Sequence, residues 1–526
     1  YVALLARSGI PPAVRADYMA ECRLRFERQP GMSATHLAQV LAHGTADYDA
    51  QSALSGAYLL DDEPDHDLIQ SFVAQLTPDN AVVMVSSGTL DPLMTELADR
   101  TTERVAVDAD YGFAYRRAEA RSDLLDELRA ARAGDGPPDM QAALCLPAPN
   151  EYFPRRLDFK GTSLPLASPA RAPLVPPAPR QLSLPSRHPL YHCLDTGFDD
   201  PVVHLRLLLR SPVVYATPRS AVLTSLLCLL IDDALVDVAY QAELAGLSYN
   251  VGYTHEGLTL DFSGYDDRMP SLVRVVLASL RDPLVVRDGA AFTRVHDGLV
   301  RRLASYATSS SHAVAKAGAD SALTDLLYTS PVKLAAALDV TNVEEVERFL
   351  TDDLLEARWS PLLLVHGNAT EAEARQYAAL VEGAWPLCDP TVPVTSSAPC
   401  QVRRGVVLTA GERVVRRQRH PNPSDTNSTV EVLFQVGQDL SPEELAPLAV
   451  FARHADKFFF QQLRTVRQLG YIVWAGYRVI ARVAYFRVLV VSTAAGCARL
   501  EREVTECVAE QRAALAALTP AEFAQL

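Results

Sequence analysis

The chain has 526 residues, 48% of them hydrophobic and 21% charged, which excludes a disordered protein because such a composition can fill packed cores. Its 49 basic and 64 acidic residues give a formal net charge of −15, which argues against a nucleic-acid partner, since such binding needs a basic surface. No uncharged apolar stretch approaches the ~18 residues that a membrane span needs, so we predict no membrane association.

The first part of the chain is mostly helical by its apolar spacing. The pattern predicts helices over 12–26 and 65–76, a turn at 77–80 and a short buried strand over 81–85. A proline-rich region follows, with eleven of the 35 prolines lying between residues 147 and 189. Because proline disrupts helices and central strands, this region is interpreted as an extended connection between two folded parts. A shorter break of the same kind spans 386–400.

In the middle part, the pattern predicts a strand at 202–209, a long helix at 221–244 that Gly246 ends, and a strand pair at 249–253 and 258–262. Further helices follow, then a strand at 361–366 and a final helix at 370–385.

The last part begins with the same succession of elements. Residues 441–444 have the capping-box pattern with proline at the first helical position. The helix that starts there is predicted to run to about Leu469, with Gly470 as its C-terminal cap. The accompanying strands are predicted at 429–435, 471–474 and 485–491.

The succession of strand, long helix and strand pair therefore occurs twice, and this internal repeat is the most informative feature of the sequence. It predicts an α+β protein of repeated modules, each with an antiparallel or mixed sheet packed against helices. The middle module has both opening and closing elements, whereas the first part has only closing elements and the last part only opening ones. We therefore expect a chain truncated at both ends.

The segment 458–476, FFFQQLRTVRQLGYIVWAG, resembles a signature of the insulin-degrading enzyme and pitrilysin family of zinc peptidases, the inverzincins. Further similarities follow in the same order as in the family, so the resemblance covers nearly the whole chain. They lie at 59–68, 77–86, 149–154 (PNEYFP) and 240–250 (YQAELAGLSYN).

The resemblance implies four related α+β modules that form two bowl-shaped halves around a chamber. On this basis 1–147 is the C-terminal part of the second module and 148–188 is the linker between the halves. Residues 189–395 are then the complete third module, and 400–526 are the N-terminal part of the fourth.

The zinc motif of the family, H-x-x-E-H, does not occur in this sequence, and its twelve histidines are scattered. His188 and His192 are four residues apart, but Pro189 between them argues against a helix that would align them. Since a zinc site needs three converging ligands, we predict no metal ligand in this chain. The resemblance then implies that zinc and the general base belong to a missing N-terminal half.

Arg464 and Tyr471 are the predicted catalytic residues. Arg464 lies near the end of the long helix, and a tight turn at Gly470 can bring it to the same face as Tyr471. A guanidinium or a phenol can stabilise the oxyanion that forms when an amide is hydrolysed, and the resemblance implies this role. The alternative from the residues alone is a solvated helical arginine and a tyrosine in the core of a strand.

Phe460 and Gly470 are predicted to line the substrate-binding surface. Phe460 lies one helical turn before Arg464, and the resemblance makes it a wall of a substrate side-chain pocket; a core phenylalanine is the alternative. A group of arginines that opens the last module either attracts acidic peptides or forms a solvated strand edge. Its members are Arg403, Arg404, Arg413, Arg416, Arg417 and Arg419.

Two functions remain open at this stage. The first is the substrate-binding C-terminal half of a zinc metalloendopeptidase, with peptide substrates and an N-terminal half, in cis or in trans, as its partners. The second is a zinc-less structural subunit of a larger complex. The eight cysteines are single and form no C-x-x-C pair, which favours a reducing compartment. We expect the cytoplasm, with the mitochondrion as the other location, and homo-oligomerisation stays open.

Overall fold

Two stretches of the chain, 1–153 and 154–526, form separate compact units and are described one after the other. The structure is a computed structural model. It describes residues 1–28, 32–60, 65–87, 89–134, 144–146, 148–161, 178–197, 200–325, 327–385 and 403–523. The break predicted at 386–400 and the central part of the proline-rich connection lie outside these ranges.

The first unit consists of helices and one short hairpin. The helices predicted at 12–26 and 65–76 are confirmed. Its elements are α1 (Val2–Ser8), α2 (Pro12–Glu27), α3 (Ala34–Asp47), α4 (His66–Gln75), α5 (Leu90–Leu97), β1 (Arg104–Val107), β2 (Ala114–Arg117) and α6 (Ser122–Ala133).

Arginines of α6 attach this helix to the end of α4. The Arg132 guanidinium donates hydrogen bonds to the carbonyl oxygens of Val73 at 3.2 Å and of Leu76 at 3.3 Å, which are among the carbonyls that a helix end leaves without partners. One turn earlier, Arg129 pairs with Asp79 and, at 2.8 Å, with Asp126. The side chain of Arg132 thus supplies hydrogen bonds to carbonyl groups at the C-terminal end of α4.

The buried strand predicted over 81–85 is wrong. This segment is extended but forms no strand, and Val82 and Met84 are 94% and 93% exposed. An isolated extended segment cannot satisfy its backbone groups or bury its side chains without a neighbouring strand. No strand among the described residues pairs with it.

The second unit contains a six-stranded sheet in the order β3-β4-β8-β5-β7-β6. Its neighbouring strands are antiparallel except for the parallel pair β4 and β8. The predicted strands at 202–209, 249–253, 258–262 and 361–366 are confirmed. The six strands are β3 (Arg180–Leu182), β4 (Leu190–Leu194), β5 (Val202–Arg210), β6 (Leu247–Thr254), β7 (Gly257–Tyr265) and β8 (Ser360–Gly367).

Helices cover one face of this sheet, and none of the helices within the described ranges combines the length and hydropathy that crossing a membrane requires. The single helix predicted over 221–244 is interrupted at Leu235 and becomes two helices. The helices are α7 (Pro218–Ala234), α8 (Val236–Leu244), α9 (Met269–Ser279), α10 (Gly289–Ala304), α11 (Ser311–Ala322), α12 (Ser330–Leu338), α13 (Val343–Arg348) and α14 (Glu371–Ala384).

A second, three-stranded sheet follows in the order β10-β11-β9. A two-residue turn at Ala481 and Arg482, both with positive φ, joins β10 to β11 in the manner of a type I′ hairpin. The elements of this region are β9 (Ser428–Gln438), α15 (Pro442–Phe459), β10 (Ile472–Ile480), β11 (Val483–Ser492), α16 (Cys497–Ala516) and α17 (Pro520–Phe523).

The internal repeat is present in the topology. In both sheets the second strand of the hairpin lies between the first strand of the hairpin and the strand that precedes the long helix: β5-β7-β6 in one, β9-β11-β10 in the other. The chain therefore has the mixed helix-and-sheet α+β fold that the sequence predicts, with modules of similar design.

Charged side chains connect the second sheet to α11. Arg478 of β10 pairs with Asp320 of α11 and, at 3.1 Å, with the nearly buried Glu431 of β9, which also lies 3.4 Å from Arg487. Because both arginines converge on one buried carboxylate, the negative charge is compensated where water cannot reach it. The sheet face that does not pack on α15 is thus held against α11.

A buried asparagine fixes the segment that leads into the first sheet. The fully buried Asn368 accepts a hydrogen bond from the Lys160 amide at 2.8 Å. Its side-chain amide donates to the Asp158 carbonyl at 2.9 Å and to Asp266 at 3.1 Å. Lys160 in turn pairs with Asp266, so one amide holds the connecting segment in place.

We predict that Asn368→Ala lowers the free energy of unfolding by about 1–3 kcal/mol, because it leaves buried backbone and carboxylate groups without partners. Asn250→Ala, a change at an exposed position of the same sheet, serves as the matched control and should stay within about 0.5 kcal/mol of the wild type. Urea denaturation followed by circular dichroism measures both, and equal midpoints for the two variants would contradict the assigned role.

Candidate functional site

The predicted site residues lie where α15 ends and β10 begins. After Phe459 the chain continues as a wide helical turn over Phe460–Val466, in which the Arg467 amide bonds back five residues to the Gln462 carbonyl at 2.9 Å. Such π-type turns are rare in proteins, and those that occur are often found at functional sites. The regular helix predicted to reach Leu469 therefore stops at Phe459, and the widened turn redirects the side chains that follow.

This turn brings Phe460, Arg464 and Tyr471 together. The Arg464 guanidinium carbon lies 4.6 Å from the centre of the Phe460 ring and 4.3 Å from the centre of the Tyr471 ring. Each contact is a cation–π interaction worth about 0.5–1 kcal/mol at an exposed position. The three side chains form one stack, which we call the Arg464 stack.

The Arg464 stack faces solvent. Tyr471 is 80% exposed and Phe460 is 40% exposed, so neither is a core residue. Among the described residues no carboxylate forms an ion pair with Arg464. Among the described residues, neither the half-buried Arg464 guanidinium nor the Tyr471 hydroxyl forms a hydrogen bond, so the two rings restrict the guanidinium without using its donors.

Arg467, three residues further on, differs from Arg464 because carboxylates neutralise it. Its guanidinium lies 2.8 Å from Glu503 and 2.6 Å from Glu510, both on α16. Burial lowers the pKa of Arg467, but the hydrogen bond to Glu503 and the charge of Glu510 outweigh it and raise the pKa. The sequence prediction missed this residue, although the repeated glutamates of α16 are a visible signal for it. Arg467 holds the turn in place and leaves Arg464 free.

Gly470 has a different role from the cap that was predicted. The residue in the left-handed conformation is Gln468, with φ 50°, and Gly470 is not in that region. Instead, a Cβ atom at Gly470 would lie 1.9 Å from the carbonyl oxygen of Val491 in β11. Glycine is therefore required because the backbone before β10 passes directly against β11.

The described residues do not fit the three-ligand zinc site of a peptidase. Among them, no three side chains of the His, Cys, Asp or Glu type converge. His192 lies in β4 with its Nε2 2.7 Å from the Ala369 carbonyl oxygen, and His188 precedes that strand. Burial lowers the pKa of His188, and Glu382 partly opposes this effect. Both histidines are thus parts of the packed structure and do not belong to a common ligand set.

The arginine group of the last module is dispersed along a segment without regular strands. Arg403 donates to the Thr324 hydroxyl at 3.2 Å, Arg413 pairs with Glu501, and Arg416 lies 3.3 Å from the Gln418 side chain. These contacts point to different neighbours, and the predicted strand edge is not formed.

Two family models match the chain. The model described as the middle or third domain of peptidase M16 matches residues 25–336, which is more than half of the chain. The model described as domain 4 of the C-terminal lobe of PQQ synthase PqqF-like proteins matches residues 450–526, a range that contains the Arg464 stack.

Similar proteins include the insulin-degrading enzyme of Homo sapiens, which is 26% identical over 456 residues, with 87% of this chain and 41% of that protein covered. The A-factor-processing enzyme of Saccharomyces cerevisiae is 24% identical over 427 residues, covering 81% of this chain and 38% of that protein. The chain thus spans less than half the length of these relatives.

Among solved structures, the crystal structure of pitrilysin matches with a TM-score of 0.71 and 19% sequence identity. The match covers 100% of this chain and 51% of that chain. At this level of identity the comparison establishes the fold.

We predict that Gly470→Ala lowers the free energy of unfolding by about 1–3 kcal/mol, since the added methyl group forces the backbone away from Val491. Gly476→Ala, within β10, is the matched control, because a Cβ atom there meets nothing within 4 Å. Its stability should be unchanged or slightly higher. Chemical denaturation of both variants tests this, and equal losses for the two would refute the close-approach explanation.

Proposed function

The chain belongs to the peptidase M16 family, and from that premise we propose that it is the substrate-binding C-terminal half of a zinc metalloendopeptidase that hydrolyses peptides within a closed chamber. In this proposal 1–147 is the end of a second module, 148–188 the linker, 189–395 the third module and 400–526 the start of the fourth. The catalytic zinc and the general base belong to a part of the enzyme outside these residues.

The observation that supports this proposal is the exposed Arg464 stack. Arg467 is neutralised by two carboxylates, whereas Arg464 has no carboxylate partner among the described residues. Arg464 instead contacts two rings at 4.6 and 4.3 Å, and neither its N–H groups nor the Tyr471 hydroxyl is used in a hydrogen bond with another described residue. Donors that are fixed before the substrate arrives need no reorganisation during the reaction.

In the proposed mechanism, Tyr471 and Arg464 donate hydrogen bonds to the carbonyl oxygen of the scissile peptide bond. Their contribution increases as negative charge develops on that oxygen, which is the condition for raising kcat rather than only tightening binding. A single such donor is typically worth about 2.7–4 kcal/mol of transition-state stabilisation. The Phe460 ring supplies an apolar wall for a neighbouring side chain of the substrate, and Gly470 lets the backbone before β10 lie close to β11.

The first prediction concerns the isolated chain. After dialysis against a chelator and desalting, the chain should retain no stoichiometric zinc and should not hydrolyse a quenched peptide, because the described residues supply no three-ligand cluster. Elemental analysis and a fluorescence assay measure this. One zinc retained per chain, or zinc-dependent cleavage, would contradict the proposal.

The second prediction concerns the complete enzyme. Tyr471→Phe should lower kcat roughly ten- to a thousandfold with a smaller change in KM, because it removes the donor and keeps the ring that holds Arg464. Arg464→Lys should also lose activity, since an ammonium group cannot reproduce the planar fork of the guanidinium. Tyr477→Phe, at an exposed position of β10, is the control and should leave kcat unchanged.

The alternative, a zinc-less structural subunit, makes the opposite prediction. The complete reading frame around these residues would then encode no H-x-x-E-H, and Tyr471→Phe would affect neither folding nor assembly. If the motif is present and Tyr471→Phe still changes kcat by less than about twofold, the assigned role of Tyr471 is wrong while the family assignment stands.

A further inference from the structure

No helix within the described ranges covers one face of the six-stranded sheet, and much of this face is polar. The odd-numbered residues of β5 from Val203 to Leu209 are buried under the helices. Since side chains alternate along a strand, the even-numbered residues point the other way. On that side an open depression is lined by His204, Arg206, Asn250, Asp261, Ser263 and His366.

Two histidines lie directly opposite each other in this depression. His204 of β5 and His366 of β8 are partners in the antiparallel register, and their ring centres are 6.1 Å apart with an angle of 30° between the planes. Two imidazoles that share one metal ion at a metal–nitrogen distance of about 2.0–2.1 Å have ring centres roughly 5–6 Å apart. The observed separation is therefore close to that of two imidazoles bound to one ion.

A hydrogen bond orients the His204 ring in a way that suits a metal ligand. The Ser263 hydroxyl lies 2.9 Å from Nδ1 of His204. In the tautomer that donates from Nδ1 to this hydroxyl, Nε2 carries the free lone pair, and a hydrogen bond of this kind on the second ring nitrogen is typical of metal-bound histidines.

The donor set of His204 and His366, together with the charged side chains near them, indicates which ions fit. Asp261 is engaged by Arg206 at 3.0 Å, so this carboxylate is compensated. A donor set of two imidazoles suits Zn²⁺, Ni²⁺ and Cu²⁺, whereas Mg²⁺ and Ca²⁺ prefer sets built from oxygen ligands.

We propose that His204 and His366 form a binding site for a divalent transition-metal ion, Zn²⁺, Ni²⁺ or Cu²⁺, on the open face of the six-stranded sheet, with water completing the coordination. With two protein ligands the site exchanges its ion readily and loses it to a chelator. It does not depend on the proposed peptidase function, because none of its residues belongs to the Arg464 stack.

The test uses the full chain without an affinity tag, first treated with a chelator and desalted. Titration with Ni²⁺ or Zn²⁺ in a calorimeter should show saturable binding of one ion per chain. His204→Gln and His366→Gln should each weaken binding roughly tenfold or more, and Ser263→Ala should weaken it to a smaller extent. His66→Gln, a change at an exposed histidine of the first unit, is the control and should bind as the wild type does.

A spectroscopic measurement distinguishes this pair from scattered weak sites. The electron paramagnetic resonance spectrum of the Cu²⁺-loaded chain should show coupling to two nitrogen ligands, and His204→Gln should reduce this to one. The glutamine variants keep a polar side chain at strand positions on the open face, and circular dichroism verifies that they fold. Wild-type affinity in the His204→Gln/His366→Gln double variant, or no saturable binding to the wild type, would overturn the proposal.

Discussion

The direct contact between two backbone segments at Gly470 is the constraint on which the candidate site depends. The chain leaves the end of α15, makes the wide turn and must enter β10 while touching the carbonyl group of Val491. A side chain at residue 470 would push the backbone away from β11 just before β10 begins, next to Tyr471. Since Tyr471 and Arg464 lie on opposite sides of this junction, their 4.3 Å stacking distance depends on that contact.

Arg467 and Arg464 lie near this junction in different environments and have different roles. Arg467 is neutralised by the glutamates of α16 and ties the turn to that helix, which restricts how far the turn can move. Arg464 is stabilised by aromatic rings, which attract a cation without accepting its hydrogen bonds in full. The first arrangement supplies rigidity and the second leaves donors for a ligand. Both properties favour the proposed recognition of a carbonyl oxygen.

The two sheets of the second unit share a strand order but differ in what covers them. In the six-stranded sheet one face is buried under helices and the other presents polar side chains, among them His204 and His366. In the three-stranded sheet α15 packs on one face, and α11 is tied to the other by Arg478. A repeated topology therefore provides two surfaces with different chemistry, one aromatic and cationic and one rich in imidazole.

The sequence alone determined most element types, the repeat and the family, because these depend on local periodicity, on capping residues such as Ser441, and on a string of residues in a fixed order. It also indicated that Phe460 and Arg464 share a helix face. Only the tertiary structure decided the conformations at Gln468 and Gly470, since they depend on where β11 passes. The exposure of 81–85 could likewise not be predicted from the local sequence. Burial of a strand requires a partner strand, and an apolar composition does not supply one. The pairing of His204 with His366 joins residues far apart in the chain, and only strand register can bring such residues together.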